Sequence, residues 1–289
     1  MARFEVTSMD NKIAIIIPIY KANLTAFEQI ALDKCFAVLG HYPIFFIVPN
    51  SLDLDPIGLS HYKSQVIRFN DKYFDSITGY NELMLSSCFY KTFIHYSYIL
   101  VYQLDAYIFS DDLMAWCNKG YDYIGGPWLP AQKYEKRHVR YKLEFFNFLC
   151  RLTSIRAGAN RYYHVGNGGF SLRKTETFYR ITLKERKLID YFLSKTGSLY
   201  HEDIFWGVEM PRLHENFKVP HWEEALAFAF DIRPWLAYKY ANNQLSMGCH
   251  GWSSKANIHF WEHKIHELTR PKLRTKEHYQ TAYITNKGV

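Results

Sequence analysis

Residues 97–109, SYILVYQLDAYIF, constrain the fold most. The run is almost wholly apolar, the pattern of a strand buried on both faces in a parallel sheet covered by helices. Two polar side chains interrupt it towards its far end, Gln103 and Asp105. A carboxylate inside such a run is costly unless it sits at the sheet's rim, where water or a ligand can reach it. That rim is where open α/β sheets bind ligands. The run therefore predicts a central strand that delivers Asp105 to a binding cleft, or, more plainly, a carboxylate that caps the chain near Ser110.

The neighbouring sequence supports the same sheet. Residues 12–20 (KIAIIIPIY) and 42–48 (YPIFFIV) read as two further buried strands. Between them, residues 25–39 place Phe27, Ile30, Ala31, Cys35, Val38 and Leu39 at helical spacing, with Gly40 as the stop. A short strand at 65–69, a helix over 76–93, a helix near 111–118 and a strand at 121–125 follow. Strand and helix in alternation predict an α/β fold, with a mainly parallel central sheet flanked by helices. The 289 residues, 48% of them hydrophobic, suffice for one large core. The expected division is one domain over 1–262, made of halves 12–126 and 127–262, followed by a basic tail over 263–289.

Charge narrows the partners. Lys and Arg exceed Asp and Glu by seven, which favours a phosphate-bearing ligand, an acidic membrane surface or nucleic acid. Nucleic acid is the weakest of these, because there is no zinc-finger spacing, RNA-binding signature or basic heptad region. The five cysteines, at 35, 88, 117, 150 and 249, are scattered and never form a CxxC pair, as expected of reduced, mostly buried thiols in a cytoplasmic protein. No signal or transit peptide is apparent, and no apolar run approaches the roughly 20 residues of a spanning helix. The tail reads as a solvated segment or as a peripheral contact with anionic lipid at the inner membrane.

Three motifs in the second half carry polar chemistry. VGNGGFSLR (165–173) sets Asn167, Gly168 and Gly169 in a turn between apolar flanks, as where backbone must pass close to a ligand. YHEDIFWG (200–207) holds adjacent acids, Glu202 and Asp203. On a helix start they diverge by about 100 degrees, so they cannot share one role. LSMGCHGW (245–252) places His250 among glycines. Each has a bland reading: a hairpin turn, acids favouring a helix N-terminus, a satisfied histidine.

In order, IIIPIYKAN, YILVYQLDAYIF, YDYIGGPW, VGNGGFSLR, HEDIFW and GCHGW resemble the motifs of an uncharacterised bacterial family of GT-A-type glycosyltransferases, over about residues 12–261. The resemblance implies a GT-A-like (Rossmann-like) fold and transfer of a sugar, by inversion, from a nucleotide-sugar donor. The acceptor implied is a saccharide or lipid-linked glycan in surface polysaccharide synthesis. It also implies a divalent cation, Mn or Mg, on Asp105 and His250. The family's DxD motif is reduced here: with Gln103 or Tyr107 at the second acid's place, one carboxylate remains. A metal-independent site, with Arg or Lys neutralising the diphosphate, stays open. Asp203 is the expected general base, with Glu202 on acceptor hydroxyls. Tyr20, Asn81, Gln103, Asp105, Asn167, Gly168 and Gly169 are expected at the donor, and Trp206 and Trp252 under acceptor sugars. A nucleotidyltransferase or a non-catalytic carbohydrate-binding protein are the alternatives; the first lacks the expected glycine-rich phosphate loop.

Overall fold

In the computed structural model, residues 12–131, 137–153 and 161–265 are described. The sheet is built from β1 (Ile13–Pro18), β2 (Ile44–Pro49), β3 (Gln65–Phe69), β4 (Tyr98–Tyr102), β6 (Tyr123–Gly125) and β7 (Phe170–Lys174), in the order β3-β2-β1-β4-β7-β6. The first four strands run parallel, and β7 enters antiparallel to both β4 and β6. Every residue of β1 and β4 is buried. Alternation sends Ile13, Ile15, Ile17, Leu100 and Tyr102 into one core and Ala14, Ile16, Ile99 and Val101 into the other, so the sheet is filled on both faces as its unbroken apolar runs require.

Helices α1 (Ala26–Leu39), α2 (Ile77–Met84), α3 (Ser87–Thr92) and α4 (Leu113–Asn118) link these strands. A capping box starts α1: Thr25 Oγ1 accepts from the Glu28 amide at 3.2 Å and Glu28 Oε2 accepts from the Thr25 amide at 2.7 Å. The helix expected over 76–93 is two helices, because Ser86 intervenes. Its hydroxyl donates to Leu83 O at 2.7 Å and accepts from the Phe89 amide at 3.3 Å, ending one helix and capping the next.

The 97–109 run is likewise two elements rather than one strand. After β4 the chain turns at Gln103–Ala106, held by Ala106 N donating to Gln103 O at 2.9 Å. It resumes as β5 (Tyr107–Ile108) in a second, three-stranded sheet with β9 (Gly248–Cys249) and β8 (Ala229–Phe230), in the order β5-β9-β8. Asp105 therefore lies on a turn between two sheets. The order of the large sheet reverses between β1 and β4, and this turn stands at its C-terminal edge there, the switch point of an open α/β sheet.

Between β6 and β7 the chain makes an excursion. Residues 127–128 and 163–165 form a neck, with a Pro127–Val165 bridge, Trp128 N donating to His164 O at 3.0 Å and Tyr163 N donating to Trp128 O at 2.9 Å. The neck carries helix α5 (Arg137–Thr153). Helices α6 (Thr175–Lys184) and α7 (Arg186–Leu193) then pack on the sheet, and α8 (Glu202–Ile204) continues into a π-helical turn at Phe205–Glu209. The widened turn brings Gly207 against the neck, where a Cβ would meet Val165 O at 2.0 Å. Among the described residues no helix is long and apolar enough to cross a membrane. Residues 266–289, which make up most of the basic tail, and residues 1–11 lie outside the described residues.

Candidate active site

The turn after β4 meets the ends of β8 and β9. His250, directly after β9, has Nε2 3.1 Å from Asp105 Oδ1 and 3.3 Å from Gln103 Oε1, while its Nδ1 lies 3.3 Å from Asp231 Oδ1. The Asp105 side chain is 47% exposed. Desolvation pulls the imidazole pKa down, but the Asp105 and Asp231 carboxylates outweigh it and raise it to about 10. His250 is thus a cation at neutral pH that donates from both ring nitrogens. Desolvation pushes the Asp105 carboxyl up, but the His250 charge and hydrogen bond prevail and hold it below its usual value.

The glycines of the NGG turn are dictated by this crowding. A Cβ on Gly169 would lie 2.2 Å from His250 Nε2 and 2.5 Å from Gln103 Oε1, and one on Gly168 would lie 1.7 Å from Glu202 Oε1. Gly169 O accepts from Gln103 N at 2.8 Å, tying the turn to the end of β4. Asn167 takes a left-handed conformation (φ 65°), which its short polar side chain tolerates, and its Oδ1 accepts from the Gly169 amide at 2.9 Å. Its Nδ2 is buried with no hydrogen-bond partner among the described residues. The turn is not a hairpin between neighbouring strands: it joins the neck to β7.

Beneath the turn lies Arg173, wholly buried. It donates to Glu202 Oε1 at 3.0 Å, Gly168 O at 3.2 Å, Ser171 Oγ at 3.0 Å and Tyr90 Oη at 2.9 Å. Glu202 is only 3% exposed, which corrects the expectation that it touches acceptor hydroxyls. Its backbone amide donates to Asn81 Oδ1 at 3.0 Å, so Asn81, itself buried and expected at the donor, fastens the start of α8. Burial raises the Glu202 carboxyl, opposed by Arg173. Asp203 retains part of its surface. Its carboxyl is raised to about 7, by desolvation first, then by the Glu202 charge, with Asp231 adding and the Ile204 amide opposing.

The remaining expected residues divide. Tyr20, 57% exposed, follows the end of β1. Its phenol is raised by desolvation, then by Glu28 and Asp105, which puts it within reach of the Asp105 charge. Trp206 and Trp252 are corrections: both are wholly buried and offer no face to a sugar. Trp206 stacks on Phe178 at 3.9 Å, and Trp252 donates its indole N–H to Ala106 O at 3.1 Å, bracing the turn from behind. Three residues of the cluster escaped the sequence reading: Arg173, Asp231 and Tyr80, whose phenol is raised by desolvation and opposed by the Arg173 charge. The signals were an arginine inside an apolar strand, and in FAFD an acid ending an apolar run, the pattern that singled out Asp105.

A cation fits the donor set in part. Neighbouring ligands of a six-coordinate ion at about 2.1 Å stand about 3 Å apart, close to the separations of Gln103 Oε1 and Asp105 Oδ1 from His250 Nε2. Asp231 on Nδ1 is the outer carboxylate that orients a ligating histidine. Among the described residues, however, no group of three His, Cys, Asp or Glu side chains is placed to hold a metal. A cation here would rest on one carboxylate, one imidazole and one amide, and would have to displace the proton on His250.

The two-layered α/β sheet with its cleft at the switch point is a GT-A-type fold. Among solved structures it is similar to mouse xyloside xylosyltransferase 1 in its apo form, with TM-score 0.51 and 14% identity over 83% of this chain and 97% of that one. It is equally similar to the galactosyltransferase LgtC in complex with donor and acceptor sugar analogues, with TM-score 0.51 and 14% identity over 91% and 96%. At such identity the likeness establishes the fold. No curated protein matches the chain. The profile of the family described as "Protein of unknown function (DUF5672)" matches residues 63–250, and the chain belongs to that family.

Proposed function

We propose that the protein is a glycosyltransferase that moves a sugar from a nucleotide donor to a saccharide or lipid-linked glycan, in the setting of bacterial surface polysaccharide synthesis. The observation that carries this reading is the convergence of Gln103, Asp105 and His250 over Gly169, beside a half-buried Asp203, at the switch point of a GT-A-type sheet. In this reading the nucleotide lies over the ends of β1 and β4, with Tyr20 against its base. The Asn167–Gly169 turn holds the donor sugar, with Asn167 Nδ2 free to donate to a hydroxyl.

The leaving diphosphate gathers negative charge, which His250 offsets when protonated. Asp105, Gln103 and His250 would hold a divalent cation, Mn or Mg, which when bound supplies the same charge stabilisation. Asp203 takes the acceptor's proton. A carboxyl raised to about 7 is a base matched to neutral pH, and a single displacement with inversion follows. Arg173 and Asn81 position α8 so that Asp203 keeps its place. The free, buried thiols Cys35, Cys117 and Cys249 support a reducing compartment, the cytoplasm. The domain limits proposed are 1–262, with the tail apart.

Thermal-shift titration with UDP, GDP, CMP and their sugars, with and without manganese, tests the reading. At least one nucleotide sugar is expected to raise the melting temperature; stabilisation by none of them refutes it. The anomeric configuration of the product, read by NMR, tests the stereochemistry: retention would overturn the single displacement and the role of Asp203 as its base.

A further inference from the structure

Helix α5 shows solvent a face that a packed helix would bury. Along its 17 residues, Tyr141, Phe145, Phe148 and Leu149 fall at i, i+4, i+7 and i+8, one stripe of the helix. They are exposed by 58%, 63%, 54% and 41%. Leu143, on the opposite side, is buried and anchors the helix to the protein. The stripe is therefore the outward face of a helix already docked on its own molecule.

Its setting names the partner. The helix sequence holds Arg137, Arg140, Lys142 and Arg151, with His138, against a single acid, Glu144. Its first turn carries no acid, and both Lys142 and His138 are exposed. A face of exposed aromatic side chains with the exposed Lys142 and His138 on the same helix, whose sequence is basic and of low overall hydropathy, is the pattern of a helix lying in the interface of an anionic bilayer. A protein partner's core would welcome the aromatics but not the surrounding excess of positive charge, which complements lipid phosphates.

We propose that α5 docks the protein on an anionic phospholipid bilayer through Tyr141, Phe145, Phe148 and Leu149. The neck that leads to α5 is rooted at Gly126 and Gly166, next to Asp231 and the Asn167–Gly169 turn, so the docking helix belongs to the excursion that starts and ends at the candidate cleft. The site differs from the basic tail, and its test needs no catalytic activity, so it stands or falls apart from the glycosyltransferase reading.

The test is co-sedimentation of the full chain with vesicles of phosphatidylcholine alone or mixed with phosphatidylglycerol. The chain is expected to bind the mixed vesicles and to be released by salt. Phe145→Ser with Phe148→Ser should weaken binding about tenfold or more, from the lost apolar burial. Lys142→Glu, which leaves the stripe intact, should weaken it about fivefold or more. Failure of the chain to bind mixed vesicles, or equal binding by the double serine variant, overturns the proposal. So does a wild-type dimer in vesicle-free solution that the double serine variant converts to monomer, since the stripe would then join two copies of the chain.

Discussion

Replacing Arg173 by Met removes the one cation among the described residues that faces Glu202 beneath the glycine turn, with little change in volume. Four hydrogen bonds to oxygen are lost, to Glu202, Gly168, Ser171 and Tyr90, and a fifth to Met84 Sδ. The larger cost is electrostatic, because a carboxylate 3% exposed is left without a partner. Breaking a buried pair in this way costs about 3–5 kcal/mol, which in a chain of this size lowers the melting temperature by roughly 5–8 °C. The loss should depend on pH with a definite sign. Without Arg173 the Glu202 carboxyl is raised further above its unfolded value, so the native state binds the extra proton and stability falls as pH rises through that window. Urea denaturation of Arg173→Met at pH 5 and pH 8 should show the greater deficit at pH 8, and adding Glu202→Gln should recover much of it. A variant within about 1 kcal/mol of wild type, well under the range for a broken buried pair, or a deficit unchanged by Glu202→Gln, would refute the role given to this pair.

Four further outcomes follow from the geometry. If Asp203 is the base, turnover should rise with pH and reach half its plateau near the carboxyl's raised value of about 7; a limiting group near pH 4 removes Asp203 from that role. The same shift destabilises the ionised fold, so Asp203→Asn should melt above wild type at pH 8 and lose that advantage at pH 5. Gly169→Ala forces a methyl within 2.2 Å of His250 Nε2 and 2.5 Å of Gln103 Oε1, and calorimetry should find donor binding weakened at least about tenfold; unchanged affinity would mean that the turn does not face the donor. Asp105→Ala should likewise weaken donor binding, and manganese should restore none of it.

Much of this architecture was legible from apolar runs. The strands at β1, β2 and β3 and the first helix fall where hydrophobic period and capping residues put them, since each is decided by local pattern. The break between β4 and β5 was not, because what turns the chain at Gln103 is Gly169 O and the packing of Trp252, from segments far along the sequence. The tryptophans misled for a related reason: a large aromatic near a polar motif fits a sugar or a core equally well, and only the tertiary contact with Phe178 or Ala106 decides. Glu202 and Asp203 illustrate the limit from the other side. The sequence implied that adjacent acids must part, but which one enters the core depended on Arg173, whose partner across the fold is not readable until β7 is placed in the sheet.

The central claim is that this cleft transfers a sugar and that Asp203 acts in the transfer step rather than in binding. Its most direct test is the release of nucleoside diphosphate from a nucleotide sugar that binds, measured for wild type and Asp203→Asn beside the affinity of each for that donor. Wild type is expected to turn over, and the variant to lose about 10²–10⁴-fold with donor affinity nearly unchanged. Full turnover by Asp203→Asn, or loss of turnover matched by an equal loss of donor affinity, would contradict it.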